Sequence, residues 1–225
     1  MTFILTNDDG IDAPGLQALS QALNDQGVIV APLHHHSGCS HQVTTTRPIA
    51  LHRRNESRYA VDGTPADCTR LALSQLVPDA RYVLSGINAG GNLGADTYIS
   101  GTVAAVREAA LLGVPGIAIS HYIRRGLTID WEMAARQAAR VLDKLLAQSI
   151  EPGSFWNVNF PHLAPGSPEP ELVFCPLCRQ PLPVSYQQDG NDFIYSGEYS
   201  QRARDPQSDV DVCFSGSIAI TLIRL

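Results

Sequence analysis

The 225-residue sequence predicts an α/β fold, a doubly wound and mostly parallel sheet with a projecting C-terminal β-hairpin region. Three observations predict it. Short apolar runs alternate with helical patterns through residue 148, as strand–helix–strand units require. Two turn-forming loops, Asn7-Asp8-Asp9-Gly10 and Ser85 to Gly94, each follow an apolar run directly, which is where open α/β sheets place their ligands. From Pro161 to Pro183 prolines and polar residues crowd the chain, and the stretch on to Val212 lacks helical periodicity.

The elements follow in order. Thr2–Thr6 reads as a buried strand, and Pro14-Gly15 opens a helix to about Leu23 with Leu16, Leu19 and Leu23 on one face. Val28–Ala31 is a second strand, followed from Pro32 to Thr46 by a polar loop rich in His, Ser and Thr. Ile49–Leu51 and Tyr59–Val61 suit a small antiparallel pair. Thr64-Pro65-Ala66-Asp67 is a helix start, with Thr as cap, Pro in the first helical position and an acid in the first turn. Tyr82–Leu84 is a strand, Thr102–Leu112 a helix stopped by Gly113, Gly116–Ser120 a strand and Thr128–Gln148 a long amphipathic helix. Ile218–Ile223 returns as a final strand. The expected organisation is a catalytic core over residues 1–160, a projecting hairpin and loop region for oligomerisation over 161–215, and a last strand over 216–225.

Composition narrows the function. Apolar residues make up 44% and charged residues 17%, ordinary for a folded enzyme, and no run approaches the roughly 20 apolar residues of a membrane span. Thr2–Asp9 shows no basic stretch leading into a long apolar segment, so no signal peptide is expected. Five cysteines, an odd count without framework spacing, predict reduced thiols in a cytoplasm. A net charge of −6 argues against long nucleic acid as a partner but leaves room for a small phosphate ester neutralised by a metal.

Asp8 and Asp9 are adjacent carboxylates on a tight turn. They read either as helix-entry acids or as ligands of a hard cation. Ser37 and Asn88 offer neutral oxygens from two further loops, and each alone reads more often as a turn residue. Ser100-Gly101-Thr102 heads a helix, where free N–H groups and the helix dipole favour an anion, or where the hydroxyls simply cap. A carboxylate pair, neutral oxygens and an anion site on one rim together describe a metal-bridged phosphate.

Asn7-Asp8-Asp9-Gly10-Ile11 with Ala13-Pro14-Gly15 resembles the opening of the SurE family of nucleoside monophosphate phosphatases. So do Ser37-Gly38, Gly63-Thr64-Pro65 followed by Asp67-Cys68, Ser85 to Gly94, and Ser100 to Ala105, in order and spacing across residues 3 to about 120. Weaker echoes follow at Asn157-Val158-Asn159 with Pro161 and at Asp209 through Thr221. The resemblance implies one divalent cation, Mg²⁺ or Mn²⁺, held by Asp8, Asp9, Ser37 and Asn88, and a phosphate bound by Asn92, Ser100, Gly101 and Thr102. Asp8, Asp9 and Asn92 would carry catalysis on nucleoside 5′- and 3′-monophosphates. It also implies dimers or higher homo-oligomers built through C-terminal hairpins. The sequence departs from the family pattern at Leu33–His36, usually acidic or Asn/Arg-rich, and at Asp12, commonly His.

Other features are weaker. Cys175-Pro176-Leu177-Cys178 lacks the second cysteine pair or following helix that its spacing would need. His34–His36 and His41 sit on a loop that suits solvent better than zinc. Asp130, Glu132, Arg136 and Arg140 fit an exposed helix face, and Trp131 and Trp156 fit the core. Two competing functions remain: a zinc-dependent sugar N-deacetylase, which needs a His-x-x-His that the chain lacks, and a nucleotide-binding stress-response module without turnover.

Overall fold

The computed structural model describes residues 2–225. The chain begins with β1 (Phe3–Thr6), α1 (Pro14–Ala22) and β2 (Val28–Pro32), then forms a hairpin of β3 (Leu51–Asn55) and β4 (Arg58–Val61). It continues through α2 (Pro65–Leu71), β5 (Tyr82–Ala89), α3 (Gly101–Leu111), β6 (Gly116–His121), α4 (Trp131–Leu146) and β7 (Ser154–Phe160). Next come β8 (Leu172–Phe174), a hairpin of β9 (Tyr186–Asp189) and β10 (Asp192–Tyr195), α5 (Asp209–Phe214) and β11 (Ile218–Arg224). Nine strands form one sheet in the order β3-β4-β2-β1-β5-β6-β7-β11-β8. The six central strands from β4 to β7 are parallel; β3 and β11 run against their neighbours β4 and β7. The predicted α/β class with a mostly parallel sheet is what the chain adopts.

Strand order reverses between β1 and β5, because the chain builds outward from β1 on one side and then restarts beside it. The carboxyl ends of these two strands therefore flank a crevice, the usual ligand position in such sheets. Both faces of the sheet are covered. α1 and α4 pack Leu16, Leu19, Ala138 and Val141 against Leu5, Leu84, Ile117 and Trp156. On the other face α2 and α3 pack Cys68, Val103 and Val106 against Ile4, Val83, Ala118 and Phe155.

Several elements differ from the sequence expectation for identifiable reasons. β3 lies on Leu51–Asn55 rather than Ile49–Leu51; its five residues, Leu-His-Arg-Arg-Asn, are all exposed, and charge on an edge strand discourages further pairing. β5 runs on to Ala89 with one extra residue between Ser85 and Asn88 relative to β6, so part of the expected loop is strand. α4 begins at Trp131, because the Asp130 carboxylate caps it by accepting from the Met133 N–H at 2.9 Å. β7 was not anticipated: Asn157 and Asn159 interrupt its apolar pattern, yet all seven residues are buried.

The segment 161–215 is divided. β8 joins the main sheet beside β11, and the short helix α5, unexpected from the sequence, packs against β11. Only β9 and β10 stand as a separate two-stranded sheet, with all eight residues exposed. Trp156 is buried and Trp131 packs on the same core, as expected. Among the described residues no helix is long and apolar enough to cross a membrane.

Candidate active site

The loop after β1 is shaped by Asn7, which is buried and bonds Gly10 in both directions: its Nδ2 donates to the Gly10 carbonyl at 2.9 Å and its Oδ1 accepts the Gly10 N–H at 3.2 Å. That turn presents Asp8 inward and leaves Asp9 nearer the surface. Asp8 is 4% exposed, and its Oδ1 accepts from the Thr102 hydroxyl at the start of α3. Burial pushes the Asp8 carboxyl up to about 6; the Thr102 hydroxyl opposes the shift and the Asp9 charge adds to it. Oδ2 of Asp9 accepts the Ala89 N–H at 3.2 Å, and its Oδ1 lies 3.3 Å from Nδ1 of His35.

The second loop is tied to the first by the His36 N–H, which donates to the Asp8 carbonyl at 2.7 Å. Ser37 follows on the exposed side, with no hydrogen bond to its hydroxyl among the described residues. Further along, Ser40 anchors to the α3 entry, its Oγ donating to the Tyr98 carbonyl at 2.9 Å and its N–H to the Ile99 carbonyl at 3.1 Å. Burial and the charge of Asp8 push the Cys39 thiol up to about 11, so it stays protonated.

Asn88 reaches the crevice from the bulged end of β5. Its Nδ2 donates to the Gly90 carbonyl at 2.7 Å, which leaves Oδ1 as the free end. Asn92 is held from every side. Its N–H donates to Asn159 Oδ1 at 2.7 Å, its carbonyl accepts from Asn157 at 2.8 Å and Asn159 at 3.1 Å, and one Nδ2 hydrogen goes to Ser120 Oγ at 2.7 Å. The second Nδ2 hydrogen remains for a ligand.

Ser100 caps α3, its Oγ accepting the Val103 N–H at 3.1 Å, while the Gly101 N–H has no partner among the described residues and the Thr102 N–H bonds to the Asp8 carboxylate. The Thr102 hydroxyl, expected on the phosphate, is committed to Asp8, and so is its backbone N–H; what the helix start leaves for an anion is the Gly101 N–H. Gly101 has no side chain because there is no room for one: a Cβ there would lie 2.8 Å from the Asp8 Cβ and 2.9 Å from the Cys39 sulfur. Gly15 is similar, since a Cβ would fall 1.9 Å from the Ile87 carbonyl oxygen and push α1 off β5.

These contacts bring Asp8, Asp9, Asn88, Ser100, Gly101 and Thr102 to one rim, with Ser37 on the adjoining loop. Free oxygens on two carboxylates, an amide and a hydroxyl suit a hard divalent cation, and so does the uncompensated charge of Asp8 beside Asp9. Among the described residues no group of three or more His, Cys, Asp or Glu side chains converges as a metal cluster.

The sequence reading noted Asn157, Asn159 and Asp209 only as weak family echoes without a role, and missed Asp96, Tyr199 and Arg202 as supports of this site. Asn157 and Asn159 hold Asn92, and two asparagines on one face of an aromatic-rich run were the available signal. Asp209, fully buried, accepts from Gly94, Cys178 and Val210 N–H groups at 2.7, 2.8 and 2.9 Å. Asp96 accepts from Leu93 N–H at 3.1 Å, from Arg202 at 2.8 Å and from the Tyr199 hydroxyl. The C-terminal segment thus clamps the glycine-rich loop. The Thr64–Asp67 motif is also structural, with Asp67 closing a capping box and accepting both the N–H and hydroxyl of Thr44 at 2.8 and 2.7 Å. His41 pairs with buried Glu108 at 2.8 Å instead of facing solvent.

The architecture is shared with solved structures. The SurE protein from Aquifex aeolicus superposes with a TM-score of 0.87 at 31% identity, covering 100% of this chain and 93% of that one. A protein of Nostoc sp. strain PCC 7120, provisionally named a 5′-nucleotidase, is 63% identical over 226 residues and the full length of both chains. The 5′-nucleotidase SurE of Methylorubrum extorquens strain PA1 is 41% identical over 237 residues, spanning 100% of this chain and 93% of its own. The profile of the family described as survival protein SurE matches residues 3–181, a span that takes in every loop of the rim; the chain belongs to the SurE family.

Proposed function

We propose that the protein is a divalent-metal-dependent phosphatase that hydrolyses nucleoside 5′- and 3′-monophosphates to nucleoside and phosphate. One observation carries the reading: a buried, charge-repelled carboxylate is hydrogen-bonded to the first turn of a helix whose Gly101 N–H is still free for a second anion. A phosphate at the helix start and a carboxylate beside it would repel, and a bound cation would offset that repulsion. The nucleotide part of the reading is supported by relatives that carry the name 5′-nucleotidase.

In this reading Asp8, Asp9, Ser37 and Asn88 hold Mg²⁺ or Mn²⁺. When bound, the cation would supply charge to polarise a phosphoryl oxygen and acidify the attacking water. The chain's own groups do the rest. The Gly101 N–H, the Ser100 hydroxyl and the spare Nδ2 hydrogen of Asn92 donate to phosphate oxygens as negative charge shifts toward the leaving group, while Thr102 holds Asp8 in place. Asp8 and Asp9 orient the water. Water adds to phosphorus, the P–O ester bond breaks, and the nucleoside leaves as its alcohol after taking up a proton.

The test is release of inorganic phosphate from 5′- and 3′-nucleoside monophosphates with Mn²⁺ or Mg²⁺, against the same assay in EDTA. Cation-dependent release is expected. Nucleotide binding without release under every cation would favour a non-catalytic module, and zinc-dependent acetate release from N-acetyl sugars would favour a deacetylase.

A further inference from the structure

Ser37, the candidate ligand on the second loop, sits at the tip of a four-residue turn. The Cys39 N–H donates to the His36 carbonyl at 3.2 Å and closes that turn around Ser37 and Gly38, whose φ of +70° suits the position. Both tip residues are exposed, and among the described residues no hydrogen bond fixes the Ser37 hydroxyl. Its place is therefore set by how the two ends of the turn are held. One end is the His36 N–H on the Asp8 carbonyl, 2.7 Å away. The other end runs along α3.

Three residues hold that second end. Cys39 lies against Gly101, where a Cβ would meet its sulfur at 2.9 Å. Ser40 bonds the carbonyls of Tyr98 and Ile99. His41 reaches Glu108, its Nε2–H donating to Oε2 at 2.8 Å. Gly101 and Glu108 are seven residues apart, two turns of helix, so they share one face of α3 about 10 Å apart. Cys39 and His41 meet that face at its two levels, and the loop lies along the helix.

The last of these contacts is the most demanding. Glu108 is 6% exposed, and among the described residues its carboxylate accepts no other hydrogen bond. Arg70 lies 3.7 Å from its other oxygen, beyond hydrogen-bonding reach, and is half exposed. A buried carboxylate needs a donor, so Glu108 fixes the imidazole and, through it, the loop. Neither side chain bonds to a candidate metal or phosphate residue among the described contacts. We propose that His41 is a positioning residue for the cation: paired with Glu108, it holds the Ser37 turn against α3, and divalent-metal affinity depends on it although it ligates nothing. The inference rests on the metal-dependent reading of the site.

Three variants separate the possibilities. His41→Leu fills the space and removes the donor. His41→Gln keeps an N–H at nearly the same reach. His41→Leu combined with Glu108→Leu removes both polar partners and spares the fold an unpaired buried charge. Mn²⁺ binding to the full chain is followed by loss of the free-ion EPR signal, and amide hydrogen exchange is read over residues 36–40. The parent should bind Mn²⁺ saturably. His41→Leu and the double variant should bind it about tenfold more weakly, with faster exchange at the turn, and His41→Gln should stay within about threefold of the parent. Parental affinity and exchange in the double variant would overturn the proposal, and that result stands even if His41→Leu does not fold. So would an equally weak His41→Gln, since the imidazole would then act by some means other than its bond to Glu108. A parent that binds neither Mn²⁺ nor Mg²⁺ would instead overturn the metal reading, and this inference with it.

Discussion

Asp8 carries opposing demands, because a carboxylate that is 4% exposed and next to Asp9 is destabilised as an ion, yet the proposed cation needs that ion. Asp8→Asn keeps the shape and the acceptor for the Thr102 hydroxyl while removing the charge. The variant is expected to lose at least about a hundredfold in turnover at saturating Mn²⁺, as loss of a directly acting charged group does. In EDTA it should melt at or slightly above the parent, since repulsion from Asp9 is relieved; near-parental activity would sink the metal assignment. His121 gives a second residue-scale prediction. Burial lowers its pKa from 6.5 to about 4, so the folded state binds the proton less readily than the unfolded chain does. Stability tied to the neutral ring is therefore complete above pH 6.5 and lost as pH falls toward 4, by roughly 3 kcal/mol. Asp8 runs the other way, its raised pKa favouring the folded state on acidification, so the comparison is with His121→Gln in EDTA. Urea unfolding at pH 7 and pH 4 should show the parent losing more stability than the variant, and equal losses would contradict the assignment.

β7 shows how an element can serve the site without facing it. Phe155, Trp156, Val158 and Phe160 lock the strand into the core, and that rigidity lets Asn157 and Asn159 hold Asn92 between them. Asn159→Leu fits the volume but leaves the Asn92 N–H unpaired, so it should lower kcat about tenfold or more with a smaller change in KM. Loss in KM alone would mean that Asn92 acts only in binding. The parallel frame was legible because β1, β5 and β6 are apolar runs ending in turn residues, and the α2 start because Thr-Pro-x-Asp is a local capping signal. β7 was hidden because its polar residues find their partners 65 and 67 positions away, a pairing that no local window contains. β3 was displaced because an edge strand has one free side and so tolerates Arg and His, blurring its period. The rim's candidate ligands stood out as oxygens on turns; that the Thr102 hydroxyl turns to Asp8 rather than outward depends on the packing of α3 against the β1 loop. α5 is six residues long, too short for periodicity to register, and owes its place to Asp209 and to packing on β11.

At the scale of the molecule, the β9–β10 hairpin is the part that the fold leaves without a core. Phe193, Ile194, Tyr195 and Tyr186 are 67%, 56%, 52% and 57% exposed, and Val184 beside them is 81% exposed. Tyr186 and Tyr195 touch edge-on across the hairpin at 5.7 Å, which orders the pair but buries little. An isolated two-stranded ribbon is marginal in water, and free strand edges next to exposed apolar side chains favour pairing with another chain. A second copy is the partner most readily available, and twofold symmetry would let each hairpin pack on the other subunit. The neighbouring residues give such packing a route to the rim: Tyr199 and Arg202, just beyond β10, bond to Asp96, which in turn accepts the Leu93 N–H next to Asn92. Light scattering coupled to size exclusion should therefore return about twice the 24.3 kDa chain mass at micromolar concentration. Phe193→Asp with Ile194→Asp should shift it toward the single-chain mass and lower turnover, as the clamp on the glycine-rich loop loosens. A parent that elutes as a single chain with full activity would mean that the hairpin has no partner and that Asp96, Tyr199 and Arg202 hold the loop without one.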